Sequence, residues 1–226
     1  MIPGNPNYIW GGDAILDRVG FAPSYDGTLG YYANTEKWWC PFMQNCTALS
    51  TITQPRDTVI YAMPFICPYD MSIDKLSINV TTARTSSTTR VGIYGNSKEP
   101  FTMYPENLIY GSDTLTSSAT GVKTQAITST TLILEANNLY WMAFANGGST
   151  SNPVYRATVA AGTMCFLGLD VAMGTAVQSA ISATFTYGAF PNIFPSGGSP
   201  KATTIVPIVA MRVRALGRTF EGNITP

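Results

Sequence analysis

The sequence predicts an all-β protein built as an antiparallel β-sandwich, and two observations in residues 72–145 lead to this prediction. Short runs in which apolar and polar residues alternate recur there, for example LSINVT at 76–81 and RVGIY at 90–94. Strict alternation places one set of side chains on a buried face and the other set in water. Clusters of Ser, Thr, Gly and Asn separate the runs at intervals of roughly 8–12 residues, which is typical of a sandwich or barrel.

The chain divides into three parts. Residues 1–55 are predicted to form an N-terminal arm, 56–217 the sandwich domain and 218–226 a C-terminal tail. The arm is rich in aromatic residues, including Tyr8, Trp10, Trp38 and Trp39, and Pro and Gly interrupt it without a stable period. Disordered chains are poor in aromatics, so this segment needs a surface to lie on. Either it packs over its own sandwich or it reaches a neighbouring subunit or another protein as an assembly arm.

The first half of the sandwich is read as follows. A strand is expected at 58–65, ended by Pro64 and Pro68, because proline cannot donate to a central ladder. Further strands are predicted at 76–81, 90–94, 126–128, 132–134 and 139–144. A hairpin connection is expected at 81–89, and loops at 95–107 and 111–121. Asn137-Asn138 predicts a tight turn, since Asn tolerates the left-handed conformation.

The second half has weaker signals. A short strand is expected at 153–157, and 191–200 reads as a Pro/Gly loop in which Phe190 and Phe194 act as apolar plugs. The last strand is predicted at 205–215. There Val209, Met211 and Val213 share one face, and Arg212 lies on the other.

Composition excludes several classes of function. Charged residues are only 12% of the chain and the net charge is zero, whereas about 25% is usual. No basic cluster is present to neutralise phosphates, so nucleic-acid binding is not expected. Histidine is absent, which removes the commonest general base and metal ligand. The carboxylates Glu99, Glu106, Asp113 and Asp170 show no pairing in the sequence, and no phosphate-binding loop or calcium motif is present. We therefore predict neither catalysis nor a cofactor.

The four cysteines do not suggest a metal site. Cys40 and Cys46 are spaced so that a loop-closing disulfide is feasible, whereas Cys67 and Cys165 lie in apolar contexts typical of small buried hydrophobes. No CxxC pair occurs, so zinc is not expected. The N-terminus does not resemble a signal peptide and no stretch approaches ~20 apolar residues, so we expect cytoplasmic synthesis and no membrane insertion.

Tyrosines at strand ends and in loops are the candidate binding residues. Tyr94, Tyr104, Tyr110 and Tyr155 stand beside Asn, Ser and Thr. A tyrosine offers a flat apolar face and a hydroxyl, which suits stacking on a sugar or docking on a protein. We take Tyr104, Tyr110 and Tyr155 as candidate ligand-binding residues. The alternative is that these rings cover the edge of the core.

Several short strings, in this order, resemble small β-sandwich proteins found among the virion structural proteins of tailed bacteriophages. The strings are YAMPF (61–65), INVTTA (78–83), RVGIY (90–94), GVK (121–123), LYWMA (139–143), FTYG (185–188) and FP (194–195). The resemblance covers roughly residues 58–215. The resemblance implies a tail-fibre or receptor-binding module, often trimeric, or a capsid cement protein. It defines no active-site residue.

Together these readings predict a jelly-roll type sandwich that forms part of a virion and acts by attachment. Its expected partners are itself as a homotrimer, other tail or capsid proteins, and a glycan on the host surface. A capsid cement role is the first alternative. A carbohydrate-active enzyme or free carbohydrate-binding module is the second.

Overall fold

The computed structural model describes residues 38–41, 49–53, 58–67, 70–99, 102–128, 132–148, 152–158, 167, 178–202 and 205–217, without the side chains of 202 and 214–217. In these ranges the regular structure consists of β-strands that pair antiparallel in two sheets. The predicted all-β antiparallel sandwich is therefore confirmed.

The strands in chain order are β1 (Trp38–Trp39), β2 (Ser50–Thr53), β3 (Val59–Ile66), β4 (Asp70–Thr82), β5 (Thr88–Asn96), β6 (Pro105–Gly111), β7 (Leu115–Thr116), β8 (Gly121–Ala126), β9 (Leu132–Leu134), β10 (Leu139–Gly147), β11 (Val154–Ala157), β12 (Gln178–Thr184), β13 (Ser199–Ala202) and β14 (Val209–Gly217).

Sheet I is organised around the long strand β4. One edge of β4 pairs with β14 and, further along, with β11. On their other edges β14 pairs with β1 and β11 pairs with β2. The opposite edge pairs with β9 and β8. Sheet II has the order β13-β12-β3-β10-β5-β6, and β7 extends the edge of β5 beside β6.

Eight of these strands pair in a nested order. The inner pair is β5 with β6, followed outward by β4 with β8, β3 with β10, and β2 with β11. The pairs alternate between the two sheets, and β10–β5 and β11–β4 join them within each sheet. A long antiparallel ribbon rolled into two layers has this connectivity.

Sheet II is buried on both faces, which explains its continuous apolar runs. In β10, Tyr140, Met142 and Phe144 belong to the core between the sheets. Trp141 and Ala143 belong to a second apolar cluster on the outer face of sheet II. The alternation of a strand thus distributes its side chains between two cores rather than between a core and water.

A segment following β12 covers this outer face. Phe185, Phe190 and Phe194 are buried there, and Phe194 packs edge-on against Tyr94 with ring centroids 5.2 Å apart. The segment is held to β6 by backbone hydrogen bonds, from Leu108 N to Asn192 O and from Phe194 N to Glu106 O, both 2.8 Å. The prediction that Phe190 and Phe194 act as apolar plugs is confirmed. We call residues 185–198 the strap.

Several local predictions are corrected. Residues 81–89 do not form a hairpin connection, because β4 and β5 lie in different sheets. The predicted loop 95–107 ends early where β6 begins at Pro105, and β8 ends at Ala126, where a strand over 126–128 was expected. The turn at 137–138 is confirmed, with a φ of 61° at Asn137.

Two strands of the predicted arm, β1 and β2, lie within the described residues. β1 pairs with β14 and β2 pairs with β11, although both strands precede residue 55. The predicted boundary at 55 therefore does not separate these strands from the sandwich. The rest of 1–55, the tail 218–226 and the candidate arm residues Tyr8 and Trp10 lie outside the described residues.

Candidate functional site

Tyr104 is half-buried and both roles of its hydroxyl are filled. The hydroxyl donates to Pro195 O at 2.6 Å and accepts from Gly198 N at 2.9 Å. The ring packs edge-on against Phe194 with centroids 5.8 Å apart. Tyr104 thus fastens the strap to the loop between β5 and β6, and a ligand can reach only part of its ring.

Asn96 holds the same loop in place. Its Oδ1 accepts from Tyr104 N at 3.1 Å and from Trp141 Nε1 at 3.0 Å. Its Nδ2 donates to Thr102 O at 3.0 Å. One side chain at the end of β5 therefore satisfies the buried indole and shapes the loop that carries Tyr104. Sequence reasoning missed Asn96, since an Asn beside a turn carries no distinguishing pattern.

Tyr110 joins the two sheets at an edge. It is half-buried in β6 of sheet II, and its hydroxyl donates to Ala126 O in β8 of sheet I at 3.2 Å. Burial raises the pKa of Tyr110; a Gln125 hydrogen bond lowers it, and the Asp113 charge raises it. This is the role of a ring that covers the core edge, which was the alternative reading of these tyrosines.

Tyr155 and Tyr94 are buried in the interior, so the prediction that they lie exposed at strand ends or in loops is wrong. Tyr155 has no solvent exposure. It packs edge-on against Phe144 with centroids 5.0 Å apart and hydrogen-bonds Thr89 Oγ1. Tyr94 is equally buried, and its hydroxyl donates to Pro191 O at 2.9 Å. Tyr155 lies on the face of β11 that points into the core between the sheets. Tyr94 lies on the outer face of sheet II, which the strap covers.

The three candidate tyrosines do not converge. Tyr155 bonds Thr89 near the start of β5, whereas Tyr104 is held by Asn96 at its end. At about 3.3 Å per residue these positions are roughly 20 Å apart. Tyr110 lies between them on a sheet edge. The structure therefore does not assemble Tyr104, Tyr110 and Tyr155 into one ligand site.

The two described arm tryptophans point to opposite faces of sheet I. Trp39 is in the core, edge-on to Phe65 at 6.2 Å, while Trp38 is 39% exposed on the outer face. Trp38 is the register partner of Arg212, which binds Asp74 through Nε–Oδ1 at 2.8 Å and Nη2–Oδ2 at 2.6 Å. Val122 (58% exposed) and Ile133 (61%) lie on the same outer face.

A polar cluster at the opposite end of sheet II from Tyr104 has the chemistry of a binding site. Arg90 Nη1 donates to Ser112 O at 2.6 Å, and Nη2 donates to Thr114 Oγ1 at 2.8 Å. Arg90 Nε is buried and has no hydrogen-bond partner in the described part of the chain, and the same holds for the Tyr187 hydroxyl. We call Thr88, Arg90, Thr114 and Tyr187 the Arg90 cluster.

Two strand residues explain the position of Tyr187 in this cluster. Its ring lies directly on Gly147, where an added Cβ would come within 2.4 Å of the ring. Gly147 pairs with Thr88 across β10 and β5. Burial raises the pKa of Tyr187, and the Thr88 hydroxyl and the Arg90 charge partly offset this rise. The phenol therefore stays protonated at neutral pH. No sequence pattern predicts the cluster, because its members come from three separate segments of the chain.

The remaining predictions about sites are placed as follows. Cys67 is buried and its Sγ donates to Leu134 O at 3.8 Å, as expected for a small core residue. Cys46 and Cys165 lie outside the described residues, so a Cys40–Cys46 disulfide stays a prediction. Within the described ranges, no group of three metal-ligating side chains is found, and no helix has the length and hydropathy to cross a membrane.

Comparisons with known proteins give no family. No protein-family model matches the chain, and no curated protein matches it. Its function must therefore be argued from the fold and from the surfaces described above.

Proposed function

We propose that the chain is a virion structural protein of a tailed bacteriophage, a tail-fibre or receptor-binding module that works by attachment. It would be made in the host cytoplasm and reside in the particle. Attachment needs a rigid scaffold with polar loops at an end, rather than a reacting centre. The observation that carries the proposal is the nested strand pairing.

This pairing supports a jelly roll. Strands β2, β3, β4, β5, β6, β8, β10 and β11 pair first with last, inward to the β5–β6 pair. Jelly rolls are eight-stranded double sheets that occur in viral capsid and lectin domains. The argument from fold to function is by analogy. The class it favours, virion or glycan-binding proteins, is also the class that the sequence resemblance implies.

The surfaces fit attachment. The strap and sheet I close sheet II on both faces, so its accessible groups are at the loop ends and edges. The Arg90 cluster at one loop end presents Thr114, an exposed hydroxyl bonded to the Arg90 guanidinium. Hydroxyls and guanidinium groups are suitable partners for sugar hydroxyls and acidic substituents.

A capsid cement role is the second candidate, and the outer face of sheet I favours it. Trp38, Val122 and Ile133 are all exposed on that face. Aromatic and apolar side chains surrounded by polar ones are typical of protein–protein contacts. The same face would serve equally for contacts between the subunits of the proposed homotrimer.

Adsorption and turnover experiments test the attachment proposal. Purified full-length protein should compete with phage for host cells and lower the adsorption rate. It should leave the chain length of host polysaccharide unchanged. Absence of competition at saturating protein would contradict the receptor-binding role, and depolymerisation of the polysaccharide would show an enzyme instead. Light scattering on the same sample checks the homotrimer.

A further inference from the structure

The Arg90 guanidinium is fixed in place without a negative partner. It hydrogen-bonds a backbone carbonyl and a threonine hydroxyl, both neutral acceptors. Within the described ranges Arg212 forms an ion pair with Asp74, and Arg90 forms none. A charge removed in part from water favours a compensating charge nearby. The positive charge of Arg90 is therefore held by neutral acceptors alone among the described residues.

Arg90 keeps unused donors: one further N–H on each of Nη1 and Nη2, and the buried Nε–H. A guanidinium has five N–H groups, and two are used by Ser112 and Thr114. Thr114 Oγ1 accepts from Arg90, so its own proton is available to another acceptor. Thr114 is exposed, and its bond to Nη2 is at the surface. An incoming group would meet N–H and O–H donors side by side, already oriented.

Two hydrogen bonds, to Ser112 O and Thr114 Oγ1, hold the Arg90 guanidinium in this orientation. Tyr187 packs on Gly147 and places its hydroxyl beside Arg90, and Thr88 Oγ1 donates to Gly147 O at 3.2 Å. Asp113, the nearest carboxylate in sequence, is exposed, and its charge acts on Tyr110. The site thus has a preorganised cation, and preorganisation lowers the entropic cost of binding.

We propose that the Arg90 cluster binds a compact oxyanion, a carboxylate or a phosphate group carried by a cell-surface polysaccharide, with Arg90 as the charged anchor and Thr114 as the second donor. This inference rests on the proposed attachment function and specifies its ligand. The planar fork of arginine matches both groups through two parallel hydrogen bonds. Tyr187 lines the cluster beside Arg90, and its hydroxyl is buried, so it is not a donor in this proposal.

The competing account is that Arg90 only ties β5 to residues 112–114. A titration of the ¹⁵N-labelled full-length chain separates the two accounts. The probes are methyl glucuronide for the carboxylate, glycerol phosphate for the phosphate, and methyl glucoside as the neutral control. We expect the amide chemical shifts of the cluster to change and saturate with one or both anions, with a Kd of about 1–10 mM. The glucoside should cause no such change. The better anion identifies the source of the oxyanion.

Variants assign the binding to named groups. Arg90→Gln should weaken anion binding about tenfold or more, and Arg90→Lys should restore part of it. Thr114→Val removes one exposed hydroxyl and should weaken anion binding about threefold. This variant still tests the site if the Arg90→Gln protein is unfolded. Arg84→Gln is the control, since Arg84 bonds Asn152 O outside the cluster and should bind as wild type.

The inference is overturned if no anion binds, if the neutral sugar binds equally well, or if Thr114→Val and Arg90→Lys both keep wild-type affinity. Its failure is distinguishable from failure of the attachment function. Arg90→Gln protein that still competes for host cells would remove this site and leave attachment standing. A protein that binds the anion but never competes for cells would keep this site and contradict the attachment function.

Discussion

Gly92 shows how tightly the strap is fitted to sheet II. A Cβ at this position in β5 would come within 2.6 Å of Tyr110 O and 2.8 Å of the Phe190 ring. The first of these atoms belongs to the backbone of the paired strand β6 and cannot move without breaking the ladder. Gly95 in the same strand has its nearest neighbour, Ile109 Cδ1, at 3.6 Å, which is an ordinary contact.

We therefore expect Gly92→Ala to lower the free energy of unfolding by about 1–3 kcal/mol through overpacking. The matched variant Gly95→Ala should change it by about 1 kcal/mol or less, and in the stabilising direction if its backbone accepts alanine. Urea unfolding measures both variants. Equal losses at the two positions would show that the strap is not seated as described.

Tyr155 makes stability depend on alkaline pH. Burial raises the pKa of its phenol from 10.0 to about 12. The unfolded chain loses this proton near pH 10, whereas the folded chain keeps it to about pH 12. The stabilisation is complete below pH 10 and is lost as the pH rises through 12. A shift of this size corresponds to about 2–3 kcal/mol.

The variant Tyr155→Phe should flatten the pH dependence of unfolding between pH 9 and 12 by about that amount. Its stability at pH 7 should fall by about 1 kcal/mol because the hydrogen bond to Thr89 is lost. Phe144→Leu disturbs the same ring contact without removing a titrating group. It should lower stability equally at all pH values; an unchanged slope in Tyr155→Phe would contradict the buried phenol.

Among single residues, sequence reasoning located the alternation of side chains but not what covers each face. Tyr155 and Tyr94 were predicted to be accessible because they stand at strand ends or in loops beside Asn, Ser and Thr. The face that carries Tyr94 is instead covered by the strap, and Tyr155 points into the sandwich. Covering by a distant segment leaves no trace in the strand itself.

The strap is the element that makes sheet II a two-sided core. Phe194 is buried between Tyr94 and Tyr104, while its neighbour Ile193 is 59% exposed. Phe194→Ala should cost about 3–5 kcal/mol, as expected for a buried aromatic ring. Ile193→Ala should stay within about 0.5 kcal/mol. Hydrogen exchange of β5 and β10 is the second readout, and protection unchanged in Phe194→Ala would contradict a covering role.

In strand β1 a core residue stands next to an exposed residue that we propose for assembly. Trp39 packs on Phe65 in the core, and Trp38 faces outward beside Arg212. Trp39→Ala should lower the free energy of unfolding by about 3 kcal/mol. Trp38→Ala should change it by about 1 kcal/mol or less but should weaken the proposed self-association, which light scattering measures. A Trp38→Ala protein that unfolds as readily as Trp39→Ala would contradict this division.

Elements with strong alternation or continuous apolar runs were predicted correctly, except that β3 does not end at Pro64 but continues through it, paired with Trp141, to Ile66. Polar edge elements were not predicted. The strands β3, β5 and β10 carry apolar residues at every second position or throughout. The edge strand β6 begins at Pro105 and keeps several side chains half-exposed, so it reads as a loop. The same holds for GVKTQA in β8. An edge strand is held mainly by its backbone pairing with the neighbouring strand, so its sequence need not show a hydrophobic pattern.

On the scale of the whole molecule, the class of fold followed from the sequence and the site did not. Alternating runs with turn clusters are sufficient to indicate two antiparallel sheets. The Arg90 cluster needs residues 88, 90, 114 and 187 in one place, which depends on the pairing of β5 with β7 and on the path of the strap. Local periodicity of the sequence does not predict contacts between residues so far apart in the chain.

The attachment account is tested most directly by locating the chain in an intact phage particle by electron cryomicroscopy. The account predicts density for the two-sheet sandwich at the distal part of the tail, with the Arg90 end of sheet II facing outward. Density on the capsid shell would contradict the tail-fibre role and support cement. Absence of the chain from the particle would contradict both.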